Sequence, residues 1–68
     1  MKTRYRFIYF NEDAAWWICR TNKENERLGH CEYFHPWKRW QFEPCVGTAF
    51  TPDCLQDIAH FMGQLKKP

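Results

Sequence analysis

The chain has 68 residues, of which 44% are hydrophobic, 19% aromatic and 26% charged, and its formal net charge is +2 at pH 7. This length accommodates one small domain and excludes an enzyme built from separate cofactor and substrate lobes. The aromatic content excludes a disordered chain, and so small a net charge does not by itself indicate a nucleic-acid partner. Because a domain this short buries only about 60% of its unfolded surface, its core must be dense or be completed by a partner.

The N-terminal segment lacks the features of a secretory signal. Its apolar run from Phe7 to Phe10 is short, and polar residues 11–13 follow it where a small-residue cleavage site would be needed. No segment approaches the ~20 apolar residues of a membrane span. We therefore expect a soluble, cytoplasmic protein with no membrane partner.

Alternating aromatic and β-branched residues predict four strands in the first two thirds of the chain. They cover residues 4–10, 15–21, 28–34 and 37–43. Residues 11–13 are a turn signal after the first strand, and Gly29 marks a bulge or a close contact in the third. A tight connection at His35 and Pro36 precedes the fourth strand, which Pro44 ends. Short connections between consecutive strands predict an antiparallel meander.

A change to helical periodicity after Phe50 predicts a helix over 52–66. Thr51 is a good N-cap, Pro52 suits the first helical position, and Asp53 favours the positive end of the helix dipole. An apolar stripe follows at spacings of three and four, which Phe61 widens. The stripe consists of Leu55, Ile58, Ala59, Met62 and Leu65. The predicted fold is thus a single α+β domain, 1–68, in which one C-terminal amphipathic helix packs on one face of a four-stranded antiparallel sheet (ββββα).

Alternation along the predicted strands places bulky apolar side chains on both faces of the sheet. In the second strand, Trp16 and Ile18 oppose Trp17 and Cys19. A single helix cannot cover all of the four Trp, three Tyr and six Phe side chains. An exposed apolar patch of this kind marks an interface, although loops folding back over the second face would bury the same residues in the core. A protein partner and a homodimer are both compatible with such a face.

The cysteines and histidines do not form a recognised site by their spacing. They are Cys19, Cys31, Cys45, Cys54, His30, His35 and His60. In a reducing cytoplasm the four thiols are expected to be free and to behave as small hydrophobic groups. Zinc ligands usually pair two to four residues apart, whereas these cysteines are at least nine positions apart. Only Cys31 with His35 offers a looser pairing, and Cys54, in the first helical turn, lacks any surrounding catalytic signature. We expect no metal, no cofactor and no catalytic residue.

A second hypothesis is binding of single-stranded nucleic acid on the sheet surface. Basic and aromatic side chains alternate in the fourth strand, as they do in proteins that stack bases on an aromatic sheet. The residues that would bind are Arg4, Arg6, Trp37, Lys38, Arg39 and Trp40. Glu32 and Glu43 would flank the same surface and weaken this interpretation.

Four short motifs resemble a group of small uncharacterised proteins of phage and prophage genomes. The motifs are Trp-x-Cys-Arg at 17–20, Leu-Gly-x-x-Glu at 28–32, Trp-x-x-Trp-x-Phe-x-Pro at 37–44 and Cys-Leu-x-x-Ile-x-x-Phe at 54–61. The resemblance implies a viral origin and a host-cytoplasm setting, and it implies no catalytic residues.

The function expected from these observations is that of a non-enzymatic protein-interaction module encoded by a phage. An inhibitor of a host or anti-phage defence protein is the specific form that the resemblance suggests. Trp and Arg side chains dominate binding energy at interfaces, so the expected contacts are aromatic and basic. They are Trp16, Trp17, Trp37, Lys38, Arg39 and Trp40.

Overall fold

Four antiparallel strands and one C-terminal helix make up the fold in the computed structural model, which describes all 68 residues. The elements are β1 (Ile8–Asp13), β2 (Trp16–Thr21), β3 (Arg27–Phe34), β4 (Arg39–Pro44) and α1 (Pro52–Gly63). The strands lie in the order β1-β2-β3-β4, and each pairs antiparallel with its neighbour. The predicted ββββα meander is confirmed.

The first strand begins four residues later than the sequence predicts. Residues 4–7 belong instead to a tight reversal, in which the Phe10 amide donates to the Thr3 carbonyl over 2.8 Å and the Tyr5 amide donates to the Ile8 carbonyl over 2.8 Å. The Asn22 side chain stabilises this reversal by donating to the Tyr5 carbonyl over 2.7 Å. Hydrogen bonds within the reversal and from Asn22 therefore replace the ladder that the aromatic pattern of residues 4–7 predicted.

The turn predicted at 11–13 is also displaced. Asn11, Glu12 and Asp13 pair with Ile18, Trp17 and Trp16 and extend β1. The chain reverses at Ala14 and Ala15, where Ala14 has a φ of 55°. Pairing with β2 satisfies the backbone of these residues, and this outweighs the turn preference of Asn and Asp.

The fourth strand starts at Arg39, because residues 35–38 form the connecting turn. The Trp37 amide donates to the Phe34 carbonyl over 3.2 Å, and Lys38 has a φ of 53°. Trp37, predicted to lie in the strand, is therefore a turn residue. Pro44, predicted to end the strand, is its last residue, which an edge strand tolerates because no further amide is needed there.

The helix begins as predicted and ends three residues early. Thr51 Oγ1 accepts a hydrogen bond from the Cys54 amide over 3.3 Å, and Pro52 is the first helical residue. After Gly63 the tail makes other contacts, since the Trp40 indole donates to the Lys66 carbonyl over 3.1 Å. With 12 residues, this helix lacks the length and apolar character needed to cross a membrane.

The core lies between the helix and one face of the sheet. Its buried residues are Tyr5, Ile8, Phe10, Cys19, Cys31, Ile58 and Phe61. The predicted stripe is only partly correct, because Leu55 and Ala59 are exposed, whereas Phe61 is fully buried and stacks on Phe10 with ring centroids 3.9 Å apart. The helix therefore presents Phe61 to the sheet as its central packing residue.

Gly29 allows close packing in the middle of the sheet, as the sequence predicts. It pairs with Cys19 in β2 and Pro44 in β4. A Cβ atom at this position would lie 2.5 Å from the Glu43 carbonyl oxygen and 2.6 Å from Cζ of Phe42. The third strand thus admits no side chain at this point.

We expect Gly29→Ala to lower the free energy of unfolding by about 1–3 kcal/mol, because the backbone of β4 must move to accept the methyl group. Urea denaturation followed by circular dichroism measures this change. Gly63→Ala is the matched control, since nothing lies within 4 Å of a Cβ there. Equal stabilities for the two variants would contradict the prediction.

Candidate functional site

A surface groove of about 780 Å³ opens at the end of the sheet that carries the β1–β2 and β3–β4 turns. Its walls come from these turns, from the last residues of β3 and from the C-terminal tail. Four aromatic side chains and two carboxylates define this aromatic groove: Glu12, Trp16, Trp17, Glu32, Tyr33 and Trp40. It is the largest concave feature of the molecule and therefore the candidate binding site.

The groove forms where β2 separates from β3. The last residue pair between these strands is Trp17 with Cys31, whereas Tyr33 continues to pair with Trp40 of β4. The end of β3 therefore has a neighbour on only one side. The two alanines of the β1–β2 turn leave the space open, because a larger side chain at either position would extend into it.

The aromatic rings on the helix side of the groove are held by packing. Trp17 contacts the buried Phe61 edge-to-face, with centroids 5.3 Å apart and planes inclined at 66°. Tyr33 and Trp40 form a cross-strand pair with centroids 5.7 Å apart and planes at 75°. The hydrogen bond from the Trp40 indole to the Lys66 carbonyl further orients that ring. These rings are thus positioned before any ligand binds, which lowers the entropic cost of binding.

Trp16 reaches the groove from the opposite face of the sheet. Its indole stacks on the His30 imidazole with centroids 3.8 Å apart and planes 9° apart, and the residue remains 39% exposed. Consecutive residues of a strand point to opposite faces, yet Trp16 and Trp17 both line the groove. The groove therefore runs around the end of the sheet and is not confined to one face.

The charge of the groove is predominantly negative. Glu12 and Glu32 contribute two carboxylates, and Lys66 is the one Lys or Arg side chain in the lining. Aromatic faces attract cations through the negative potential of the ring, and carboxylates add a direct Coulomb attraction. A positively charged side chain is the ligand that these walls fit best.

The structure brings together three of the six contact residues expected from the sequence. Trp16, Trp17 and Trp40 line the groove. Trp37 lies outside it in the β3–β4 turn, is 75% exposed, and contacts Phe34 edge-to-face at 5.4 Å. Lys38 and Arg39 are exposed beside it. All six lie at the same end of the molecule, but they do not share one face of the sheet.

The basic residues of the nucleic-acid hypothesis are separated. The Arg4 guanidinium lies over the Tyr9 ring and donates to Asn22 Oδ1 over 2.8 Å, near the β2–β3 connection. Lys38 and Arg39 lie at the other end of the sheet, in and after the β3–β4 turn. The Arg6 guanidinium lies over the Phe7 ring, in the same N-terminal segment as Arg4. The structure therefore shows no continuous basic surface that joins these two arginines to Lys38 and Arg39.

Three groove residues are not among the partner contacts expected from the sequence: Glu12, Glu32 and Tyr33. The sequence predicts Glu12 to lie in a turn, and nothing in it distinguishes Tyr33 from the other aromatic residues. Only the register that sets Tyr33 beside Trp40 and Glu12 beside Trp17 reveals their common location.

The two cysteines on the helix-facing side of the sheet, Cys19 and Cys31, are poor nucleophiles. All four are free, and Cys19 and Cys31 are buried. Burial, together with the neighbouring thiols of Cys31, Cys54 and Cys45, raises the pKa of the Cys19 thiol to about 12. Burial alone raises the pKa of Cys31 to about 12. Since the thiolate is the nucleophile, these two groups are unreactive at neutral pH.

Comparison with known protein families, curated proteins and solved structures finds no match for this chain. The fold is that of a small α+β domain, and its groove is an aromatic and acidic surface. Its function is therefore inferred from the chemistry of that surface.

Proposed function

We propose that the protein is a non-enzymatic interaction module that binds another protein in the aromatic groove. The observation that carries this proposal is the convergence of Trp16, Trp17, Tyr33 and Trp40 on one groove. Trp and Tyr are the side chains most enriched among the energetically dominant residues of interfaces. Three of these residues belong to the set expected from the sequence, and Tyr33 is added by the fold.

The partner presents a lysine or arginine side chain to the groove. Glu12 and Glu32 attract the cation, and the aromatic rings contribute a cation–π interaction of about 0.5–2 kcal/mol. The groove volume of about 780 Å³ lies in the range of about 300–1,000 Å³ that is typical of ligand pockets. The groove therefore accommodates one or two side chains of the partner and not a whole helix or strand. The exposed Trp37 at the same end of the molecule extends the contact surface beyond the groove.

The resemblance to phage and prophage proteins supports a phage origin and a partner in the host cytoplasm. A small domain with a preformed groove acts by occupying a surface that its target needs, which suits an inhibitor of a host or anti-phage defence protein. A second copy of this chain is the competing occupant, and sedimentation of the purified protein at increasing concentration distinguishes a homodimer from a monomer that binds a foreign partner.

We expect Trp16→Ala to weaken partner binding by at least tenfold, because it removes the most exposed ring of the groove without opening the core between helix and sheet. A central aromatic hot spot contributes about 2 kcal/mol or more. The measurement is quantitative capture from host extract, followed by titration of the captured protein. Leu55→Ala is the matched control, because it removes an exposed apolar side chain on the helix, outside the groove.

The charged part of the proposal is tested by Glu12→Gln, which should weaken the same complex and reduce its dependence on salt. Circular dichroism confirms that each variant is folded. Unchanged affinity in both Trp16→Ala and Glu12→Gln would exclude the groove as the binding site.

A further inference from the structure

Three potential metal ligands converge on the sheet face opposite the helix. His30 and Glu32 are two residues apart in β3, so their side chains share a face, and Glu43 is the direct cross-strand partner of His30. His30 Nε2 lies 3.1 Å from Glu32 Oε1, and one ligand atom from each of the three residues lies within 4.8 Å of the others. We call these residues the His–Glu cluster.

The spacing of the cluster suits a single small ion. Bonds of about 2.0–2.2 Å to zinc place two ligands of a tetrahedral site about 3.4 Å apart. His30 Nε2 and Glu32 Oε1 are hydrogen-bonded at 3.1 Å, so these two atoms are already close to the required separation, and a bound ion takes the place of the shared proton. Glu43 is exposed at the edge of the sheet, so its side chain is free to change rotamer and approach the other two ligands.

The Trp16 stack is a second feature that favours a ligand role for His30. The indole covers one face of the imidazole at 3.8 Å and thereby fixes the plane of the ring. The His30 side chain is only 12% exposed, while its Nε2 atom is directed at Glu32. A ligand held in one orientation loses little entropy when a metal binds.

The donor set indicates the class of ion. Imidazole with carboxylates suits first-row transition ions such as Zn²⁺, whereas Mg²⁺ and Ca²⁺ prefer oxygen ligands alone. Cys31 lies between His30 and Glu32 in the chain but points to the buried helix-facing side, so no thiolate joins the set. Three protein ligands leave at least one coordination position for water or for a group from another molecule.

We propose that His30, Glu32 and Glu43 form a binding site for a divalent transition-metal ion, with Zn²⁺ as the expected occupant. The site adjoins the groove and does not depend on the proposed protein-binding function, because two of its three ligands, His30 and Glu43, lie outside the groove lining. Glu32 and Trp16 border both, so bound metal also draws one carboxylate away from the groove.

The test is calorimetric titration of the protein with ZnCl₂, combined with Co²⁺ absorption and Cu²⁺ quenching of tryptophan fluorescence. We expect one ion to bind per chain and Glu43→Gln to lower the affinity at least tenfold. Because the Trp16 indole stacks on the ligand His30, Trp16→Phe should lose most of the quenching. Glu43→Gln is the most informative variant, because it changes an exposed side chain and is therefore expected to leave the fold intact. His30→Gln should abolish binding.

Glu12→Gln is the matched control, because it removes a groove carboxylate and leaves the His–Glu cluster intact. Equal zinc affinity in wild type and Glu43→Gln would overturn the proposal, as would the intense thiolate absorption of a cysteine-bound Co²⁺. The two proposals fail separately, because Glu43→Gln should weaken zinc binding and leave partner binding unchanged, whereas Glu12→Gln should weaken partner binding and leave zinc binding unchanged.

Discussion

Phe61→Ala is expected to remove a large part of the folding free energy of the protein. The Phe61 side chain is fully buried, stacks on Phe10 at 3.9 Å and meets Trp17 edge-to-face at 5.3 Å. It is thus the contact through which the helix holds both β1 and β2. Removal of the ring leaves a cavity that the flanking aromatic side chains cannot fill without moving.

The expected loss is about 3–5 kcal/mol, the usual range for a buried Phe→Ala change. A domain of this size has a total stability of roughly 3–10 kcal/mol at about 0.05–0.15 kcal/mol per residue, so the variant is largely unfolded at the lower end of that range. Urea denaturation monitored by far-ultraviolet circular dichroism measures the change. Leu55→Ala, on the exposed side of the same helix, should cost less than about 1 kcal/mol. A loss in Phe61→Ala no larger than that of Leu55→Ala would refute the packing role.

The protein is also expected to lose stability steeply in alkaline solution. Burial raises the pKa of Cys19 and Cys31 to about 12, against 9.0 for the free thiol. Above pH 9 the thiols of the unfolded chain ionise while those of the folded chain keep their protons, so the folded state binds more protons and stability falls as pH rises. Below pH 9 both states are protonated and this contribution to stability is constant.

Each buried thiol should lower the free energy of unfolding by about 1.4 kcal/mol per pH unit between the two pKa values. Burial also raises the pKa of Tyr5 above its ordinary value of 10.0, so it adds a loss of the same sign from about pH 10 upward. Urea denaturation at a series of pH values between about 8 and 11 gives the slope. Cys19→Ala and Cys31→Ala should each reduce that slope by roughly half of the thiol contribution. Identical slopes in wild type and both variants would show that the thiols are not the cause.

The positions of the four tryptophans lead us to expect that their replacement affects stability and partner binding unequally. Trp17 and Trp40 pack against the core, so their replacement would disturb the fold as well as the binding surface. Trp16 stacks only on the opposite face of the sheet and Trp37 lies in a turn. Variants of Trp16 therefore report on the groove with the least structural consequence.

The helix and the strand pattern are properties of local sequence. Thr51 and Pro52 set the start of α1, because capping and the fixed proline φ depend only on adjacent residues. Alternation in β2 correctly separates Trp16 from Trp17, since the two-residue period belongs to the strand itself. Gly29 likewise signals a close contact, because its missing side chain is visible in the sequence.

The ends of the elements depend on contacts distant in the chain. Asn22 stabilises the reversal that shortens β1 at its start, and pairing with β2 extends β1 through Asp13. The Trp40 indole engages the carbonyl of Lys66, beyond the end of the helix. Local propensity is worth a few tenths of a kcal/mol per residue, and such tertiary hydrogen bonds exceed it.

The sequence by itself determined the class of fold, the antiparallel order of the strands and the side chains available for binding. Only the tertiary structure decided which of them meet. Tyr33 joins Trp40 in the groove, and His30 joins Glu43 in the His–Glu cluster, because of the register between β3 and β4. A one-residue change of register would send each side chain to the opposite face, so no local pattern encodes these pairs. The high aromatic content of the chain is thus divided between a core around Phe61 and a groove at one end of the sheet.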